Sequence, residues 1–293
     1  MIHQIDTTTT KSSAVLKNKI FNKTILEHNF NKNHSSYAVE LENFKPIISL
    51  IIPTFFEEKM LGELLVKFNE NIKQKYKCEI IVSDGGSTDR TIEIAKQYAD
   101  IVVENNSGKR QTISEGRNCG AKVAQGEILV FLNADCVPDN IELFFENISN
   151  WFQINKLNKN SKTSAIACKI KSFKEEEKFY DRIFYFIHNN YVKLLIALGV
   201  GMGRGECQIV LSNIFHKIGG YNSNLVAGED FDLFRRIAKS GNKILFDKNL
   251  LINESPRRFR KYGYLKTIWY WTLNSLTVIF FNKSVSKDWE AIR

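Results

Sequence analysis

Residues 46–58 read PIISLIIPTFFEE and residues 79–89 read EIIVSDGGSTD. Each segment contains a short apolar run typical of a buried strand, and the runs end near Pro53 and Asp84. Two more apolar runs follow at 101–104 and 127–132, and segments with the apolar spacing of helices lie between the runs at 61–68, 92–99 and 112–124. Strands that alternate with helices of about ten residues indicate βαβ units. The sequence therefore predicts an α/β fold with a mostly parallel central sheet flanked by helices.

The composition is that of an ordinary globular protein. Of the 293 residues, 43% are hydrophobic and 25% are charged, which excludes a disordered chain, a collagen and a protein with many membrane spans. The 41 Lys and Arg residues outnumber the 32 Asp and Glu residues, so the formal net charge is +9. This basic excess favours anionic partners: nucleotide phosphates, nucleic acid or an acidic membrane surface. Charge alone does not choose among them.

Cysteine usage and the N-terminal residues favour the cytoplasm. The five cysteines are an odd number and form no C-x-x-C pair, which is typical of reduced thiols. Residues 1–10 lack the basic and apolar regions of a secretory signal. The stretch 183–200 contains polar residues, and the uncharged stretch 267–281 is shorter than the roughly 20 residues that span a bilayer. Neither stretch is therefore expected to cross a membrane.

Three zones of different composition suggest the domain organisation. Residues 1–45 are rich in Asn, Lys, Thr and Ser, and are expected to form a poorly ordered N-terminal extension. Residues 46–260 carry the strand and helix pattern, which weakens after residue 151. In that weaker half we predict strands at 165–170 and 208–212 and helices at 179–197 and 229–240. Residues 261–293 form an aromatic C-terminal tail.

Ligands of parallel sheets bind beyond the carboxyl ends of the strands, which here selects residues 53–58, 84–89 and 133–138. These segments and their neighbours carry what a nucleoside diphosphate sugar needs: rings for the base, carboxylates for the base edge and for a divalent ion, and cations for phosphate. In that order the candidates are Phe55 and Phe56, Asp84, Asp135, and Lys109, Arg110 and Arg117. Each candidate also has a structural interpretation: core rings, a turn cap, a helix cap or solvated charges. Their shared position at the ends of successive strands favours a binding site.

The sequence resembles the inverting glycosyltransferases of family 2, which have the GT-A fold. The resemblance covers most of residues 46–260. It rests on six segments: 49–58 (SLIIPTFFEE), 79–89 (EIIVSDGGSTD), 116–121 (GRNCGA), 126–135 (GEILVFLNAD), 215–221 (FHKIGGY) and 228–232 (GEDFD). It implies a catalytic domain at 46–260, with a Rossmann-like half that binds the nucleotide sugar at 46–150 and an acceptor half at 151–260.

The resemblance also implies roles for individual residues. Those that would line the base and ribose are Pro53, Thr54, Phe55 and Glu57, with Asp84 reading the base edge. Asn133, Ala134 and Asp135 take the place of the D-x-D motif, in which Asp135 would bind Mg²⁺ or Mn²⁺. Asp230, next to Glu229, takes the place of the catalytic base. The expected donor-site cations are Arg110 and Arg117, together with Arg257 and Arg258, which resemble an arginine pair near the active-site mouth.

Two departures from the family pattern bear on function. The first D-x-D residue is Asn133, whose amide accepts a hydroxyl but carries no charge. The Q-x-x-R-W motif of processive polysaccharide synthases is absent, which favours transfer of one sugar rather than a polymer. The implied reaction moves a single sugar from a nucleoside diphosphate sugar to a hydroxyl acceptor by metal-assisted inverting displacement. Asp84 favours UDP as the nucleotide.

Other functions compete with this interpretation. A sugar nucleotidyltransferase usually needs a Gly-rich basic loop after the first strand, where this chain has FFEE at 55–58. A dinucleotide-dependent oxidoreductase needs G-x-G-x-x-G, which the run GVGMGRG at 199–205 does not match. Only charge suggests nucleic-acid binding, without a recognition motif, so no nucleic acid is expected as a partner. A non-catalytic binder of nucleotide sugars stays open.

Two aromatic stretches suggest contact with a membrane surface. The stretch 179–197 has few charges, and 267–281 contains Trp269, Tyr270 and Trp271 after a basic segment at 257–266. Trp and Tyr favour the headgroup level, and basic side chains favour anionic lipid. We therefore expect a peripheral protein on the cytoplasmic leaflet, with a lipid or lipid-linked sugar as acceptor. The alternative is that both stretches form core or a subunit interface of a soluble enzyme.

Overall fold

The computed structural model describes residues 45–158, 160–281 and 283–285. The N-terminal extension predicted at 1–45 lies outside these ranges except for Lys45. The end of the aromatic tail, at 286–293, also lies outside the described residues.

In the described part of the chain, eight strands form one sheet. The strands are β1 (Ile48–Thr54), β2 (Cys78–Asp84), β3 (Ile101–Glu104), β4 (Ile128–Leu132), β5 (Val137–Pro138), β6 (Thr163–Ser172), β7 (Cys207–Leu211) and β8 (Lys243–Glu254). Their order across the sheet is β3-β2-β1-β4-β7-β6-β8-β5. The four strands β1 to β4 are parallel, as are β6 and β8, whereas β7 and β5 pair antiparallel with their neighbours. The predicted α/β fold with a mostly parallel sheet is confirmed.

Helices cover both faces of this sheet. They are α1 (Leu61–Leu65), α2 (Glu70–Tyr76), α3 (Thr91–Tyr98), α4 (Ile113–Val123), α5 (Ile141–Leu157), α6 (Phe179–Ala197), α7 (Ser212–Lys217), α8 (Glu229–Lys239), α9 (Arg257–Tyr262) and α10 (Tyr264–Phe281). On β1, Ile48, Leu50 and Ile52 pack in the cluster that includes residues of α1, α2 and α5. Ile51 packs in the opposite cluster with residues of α4 and α8. Because both faces are covered, the strands need no polar alternation, which explains their uninterrupted apolar runs.

Several elements of the structure were not predicted from the sequence. The patterns do not predict α2, α5 or β8. β8 contains a polar run, and its register with β6 jumps from Cys168↔Asp247 to Lys169↔Leu251. This irregularity leaves residues 248–250 outside the pairing, so the strand tolerates Lys248 and Asn249 in its middle. The hydrophobic period that would reveal the strand is broken at the same place.

The predicted domain boundaries at 150/151 and 260/261 fall inside helices, α5 and α9 respectively. The described part of the aromatic tail is not a separate segment. Most of it forms α10, which packs against the rest of the fold. The buried carboxylate of Asp181 on α6 accepts hydrogen bonds from Arg260 (2.5 Å to Nη2) and from the hydroxyl of Tyr264. The ring of Trp271 lies 5.6 Å from that of Phe259. None of the helices that the structure describes combines the length and apolar character needed to cross a membrane.

Candidate active site

A cavity of about 900 Å³ lies at the carboxyl ends of β1, β2 and β4. Of the site residues that the resemblance implies, all but Asp84 line it: Pro53, Thr54, Phe55, Glu57, Arg110, Arg117, Asn133, Ala134, Asp135, Glu229, Asp230, Arg257 and Arg258. The other two candidates, Phe56 and Lys109, do not line it. Parallel strands bring their last residues to one edge of a sheet, which is why segments far apart in sequence converge here.

Asp84 lies beneath the surface of this cavity rather than on it. Its side chain has no exposed surface. One carboxylate oxygen accepts from the hydroxyls of Thr54 (3.0 Å) and Ser87 (2.6 Å), and the other accepts from the backbone N–H groups of Gly86 (2.8 Å) and Ser87 (2.7 Å). The carboxylate therefore holds the turn after β2, which is the alternative role that the sequence left open. A direct contact between Asp84 and a base stays a prediction.

The aromatic face expected for the base is covered by a cation. The guanidinium carbon of Arg110 lies 4.6 Å from the centre of the Phe55 ring. The Phe56 ring is tilted against Phe55 at 4.3 Å, and the backbone N–H of Glu57 donates to the hydroxyl of Thr91 at 2.8 Å. The Arg110 side chain is exposed, and its contact with phosphate stays a prediction.

Arg117 has a different place from the one predicted. It was expected to neutralise phosphate, but it is only 1% exposed. Its Nη1 donates to Glu229 at 3.0 Å, and its Nη2 donates to the side-chain oxygen of Asn133 at 3.0 Å and to the carbonyl of Gly205 at 2.6 Å. Arg117 therefore ties the predicted metal-binding loop to the start of α8. Its guanidinium is paired with the Glu229 carboxylate at 3.0 Å, and a contact between Arg117 and phosphate stays a prediction.

Asp135 is the residue of the D-x-D-like segment that offers a charge to the cavity. Its side chain is half-buried, and Oδ2 accepts from Nη2 of Arg257 at 2.8 Å. Mg²⁺ is usually held by one or two protein carboxylates together with substrate phosphates. Among the described residues, no three His, Cys, Asp or Glu side chains lie close enough to hold a metal by themselves. An ion at this point would therefore need Asp135 and a bound diphosphate together as its ligands, which stays a prediction.

Glu229 and Asp230 open α8 and differ in environment. Glu229 is buried in its ion pair with Arg117, and burial raises its pKa although the ion pair opposes this. Asp230 is half-buried, and its Oδ1 accepts from the N–H of Phe231 at 2.8 Å. Burial, and then the neighbouring Glu229 carboxylate, raise the pKa of Asp230 to about 7. A carboxylate with this pKa can take up a proton near neutral pH.

The Gly-rich run 199–205 is part of the site, which the sequence did not indicate. A Cβ atom on Gly203 would lie 2.7 Å from the Phe234 ring of α8, and one on Gly205 would lie 3.3 Å from Oδ2 of Asp230. The glycines therefore let this segment pack against the helix that carries Asp230. The positions of Gly203 and Gly205 are therefore explained by the close approach to α8 and not by dinucleotide binding.

Arg204 and Glu206, within and just after this run, also line the cavity. Arg204 is 3% exposed, and it donates to Glu206 from Nε (3.1 Å) and Nη2 (2.6 Å) and to Glu254 from Nη2 (2.5 Å). Its guanidinium lies 5.7 Å from the ring of Tyr185 and 5.8 Å from that of Trp271. No single-sequence signal marks this cluster, because its members come from separate elements and a loop.

The fold is that of the GT-A glycosyltransferases. The chain matches the family described as glycosyl transferase family 2 over residues 49–218 and belongs to that family. The predicted resemblance, fold and enzyme class are confirmed.

The chain is similar to three proteins whose names describe sugar transfer. A glycosyltransferase named AglE from Haloferax volcanii is 34% identical over 99 residues, 32% of each chain. A dolichyl N-acetyl-α-D-glucosaminyl phosphate 3-β-D-2,3-diacetamido-2,3-dideoxy-β-D-glucuronosyltransferase from Methanococcus voltae is 23% identical over 79% of this chain and 74% of its own. The structure of a Pyrobaculum calidifontis mannosyltransferase aligns with a TM-score of 0.57 at 17% identity, over 76% of this chain and 63% of its own. The matches thus span about a third of the Haloferax protein and under two thirds of the Pyrobaculum one.

Proposed function

We propose that this enzyme transfers one sugar from a nucleoside diphosphate sugar to a hydroxyl group of an acceptor, with inversion at the anomeric carbon. The observation that carries the proposal is the convergence of Asp135, Arg110 and the half-buried Asp230 in one cavity at the strand ends. Nucleotide sugar synthesis is not retained as an alternative, because the chain belongs to a glycosyltransferase family.

In the proposed reaction the acceptor oxygen attacks the anomeric carbon while Asp230 takes its proton. The bond between that carbon and the diphosphate oxygen breaks, and the nucleoside diphosphate leaves from the opposite face of the sugar. Asp230 suits this task because its pKa of about 7 lies near neutral pH. A Mg²⁺ or Mn²⁺ ion held by Asp135 would neutralise charge on the leaving diphosphate. Arg110, which also lines the cavity, would contribute a second positive charge to the diphosphate.

The structure bears on which nucleotide the donor carries. The expected preference for UDP depends on Asp84, whose carboxylate is occupied by four donors within the turn. The Pyrobaculum mannosyltransferase was solved with GDP-Man and Mn²⁺. Uridine and guanosine donors therefore both belong in the test.

A thermal-shift panel of nucleotide sugars, with and without Mn²⁺, tests the donor site. A ligand that binds only the folded state raises the unfolding midpoint, and we expect such a rise for at least one UDP- or GDP-sugar, larger with Mn²⁺. Asp135→Ala is the matched variant and should lose the Mn²⁺-dependent part of the rise. NMR of the transferred sugar would then show its anomeric configuration. A panel without any shift, in a protein with a cooperative unfolding transition, would contradict the proposal.

We also propose that the enzyme works at an anionic membrane surface. The exposed large apolar side chains of α6 and α10 are Phe179, Tyr180, Ile183, Phe186, Ile187, Tyr191, Leu194, Leu265, Ile268, Trp269, Tyr270, Leu276, Phe280 and Phe281. The acid within α6 is the buried Asp181, and α9 and α10 contain no Asp or Glu. Arg182, Lys193 and Lys266 are exposed on these helices. Helices that expose apolar and basic side chains but no acid suit anionic lipid, and the Methanococcus relative is named for an acceptor linked to dolichyl phosphate.

A further inference from the structure

One wall of the cavity comes from α6 and α10. Ile187, His188 and Tyr191 of α6 line it, as do Ile268 and Trp271 of α10. Spacings of three and four residues place each set on one face of its helix. We call these five residues the helix wall.

The helix wall is open to solvent at its apolar part. Ile187 is 59% exposed although it lines the cavity, and Tyr191 and Ile268 are also exposed. Such exposure is costly for an isolated enzyme, because apolar area removed from water is a main source of stability. The apolar part therefore fits a ligand with a hydrocarbon segment that enters the cavity from outside.

Within the described part of the chain, His188 of the helix wall and its neighbour Arg204 each have a buried hydrogen-bonding atom without a partner. Among the described residues, neither Nδ1 of His188 nor Nη1 of Arg204 has a hydrogen-bond partner, and both atoms are buried. The two residues are neighbours of the same ring, since Trp271 lies 5.2 Å from the His188 ring and 5.8 Å from the Arg204 guanidinium. Buried polar atoms without partners are rare in folded proteins, so a ligand oxygen or water is expected there.

The charge at this point favours a neutral polar group over a phosphate. Arg204 already faces two carboxylates, because it donates to both Glu206 and Glu254. The pKa of His188 is lowered to about 3 by burial, so its ring is neutral near pH 7. A hydroxyl group can accept from a guanidinium and donate to a neutral imidazole, which meets both needs.

From these contacts we propose that the helix wall is the acceptor subsite for an amphiphile with a sugar head group. A head-group hydroxyl bonds to Arg204 and His188, and the hydrocarbon chain lies across Ile187, Tyr191 and Ile268 towards the outer faces of α6 and α10. The inference rests on the proposed glycosyl transfer and names the acceptor class for it.

Calorimetric titration with dodecyl maltoside below its micellar concentration tests the subsite without knowledge of the natural acceptor. Dodecyl maltoside should bind at least about tenfold more tightly than maltose, because its chain leaves water on the helix wall. Ile187→Lys should weaken that binding by about tenfold. Phe186→Lys is the matched control, because Phe186 is 71% exposed on the same helix but does not line the cavity. Equal losses in the two variants, or maltose binding as tightly as the detergent, would overturn the inference.

The head-group contact has its own comparison. Dodecyldimethylamine oxide has the same chain without a sugar, so His188→Ala should weaken maltoside binding at least about threefold more than amine-oxide binding. Equal weakening would remove His188 from head-group recognition and overturn that part of the inference. Each variant is first checked for the nucleotide-dependent thermal shift. A protein that keeps this shift but binds no maltoside contradicts the acceptor subsite alone. Absence of the shift in the unmodified protein contradicts the proposed function instead.

Discussion

Asp230 should control the pH dependence of the reaction. Its pKa of about 7 means that the carboxylate is largely protonated below neutral pH and cannot accept a proton there. We expect kcat/KM of the unmodified enzyme to rise with pH and level off above about 7, since this parameter reports the free enzyme. Asp230→Asn should lower turnover at least about a hundredfold. If Asp230→Asn keeps the rise of kcat/KM with pH, the role of catalytic base would instead be assigned to Glu229 or Asp232.

The same carboxylate should cost stability at high pH. Between its usual pKa of 3.8 and the folded value of about 7, the folded state binds more protons than the unfolded state, so the free energy of unfolding falls as pH rises. Asp230→Asn removes this cost and should raise Tm above pH 7 while it lowers turnover. The control is Asp232→Asn: Asp232 is buried and bonds to Arg236 at 2.7 Å, so this change should lower Tm. A lower Tm for Asp230→Asn at pH 8 would assign the residue a structural role.

Substitutions of Asp135 and Asn133 should weaken ligand binding to different extents. Asp135→Ala should abolish Mn²⁺ binding in the presence of a nucleoside diphosphate, measured by calorimetry, because the charged ligand is lost. Asn133→Ala should weaken donor binding by only about 1–2 kcal/mol, the scale of one hydrogen bond. Its effect should pass through Arg117, which loses one of three acceptors. Equal and complete losses in both variants would contradict this division.

The sequence predicted which residues line the cavity more accurately than it predicted the contacts that each residue makes. Strand ends converge in any parallel sheet, so Phe55 and Asp135 could be placed together from the pattern alone. Asp84 and Arg117 could not be assigned in this way. Arg117 is paired with a carboxylate 112 residues away, and Asp84 bonds to Thr54 across 30 residues. A sequence motif does not show which hydrogen-bond donors and acceptors of its residues are already paired with distant parts of the chain.

At the scale of elements, the close approach of the Gly-rich run 199–205 to α8 should be sensitive to single methyl groups. Gly205→Ala would place a Cβ 3.3 Å from Oδ2 of Asp230, so it should reduce kcat by displacing the carboxylate, with little change in Tm. Gly203→Ala would press on Phe234 at 2.7 Å and should lower Tm. The control is Gly62→Ala, where the new Cβ meets an ordinary contact at 3.6 Å. A lower Tm with unchanged kcat for Gly205→Ala would contradict the link to Asp230.

Elements with an uninterrupted period were predictable, and those with an interrupted period were not. β3 and α6 have the predicted bounds because their apolar patterns run from end to end. β8 was missed since three of its residues bulge away from β6. α10 was treated as part of a tail because its apolar residues face both the core and solvent, which gives no clear amphipathic period.

For the whole molecule, we expect the outer faces of α6 and α10 to hold the protein on anionic vesicles. It should float with such vesicles at low salt and less at high salt, because the attraction to basic side chains is screened. Leu265→Glu should reduce flotation, since Leu265 is 84% exposed on α10. Leu157→Glu is the control, because Leu157 is 85% exposed at the end of α5. If the protein does not float with anionic vesicles at low salt, these faces would instead be assigned to a subunit interface.

The anchoring of α10 on α6 also sets an order for folding during synthesis. Asp181 and Tyr264 are 83 residues apart, an interval that a ribosome needs roughly 4 to 17 s to translate at about 5–20 residues per second. During that time β1 to β4 of the nascent chain are complete, while Asp181 and the rings of Phe184 and Tyr185 still lack their partners from α9 and α10. An exposed aromatic surface of this kind is what chaperones bind. We therefore expect the nascent enzyme to be most open to aggregation before α10 has emerged from the ribosome.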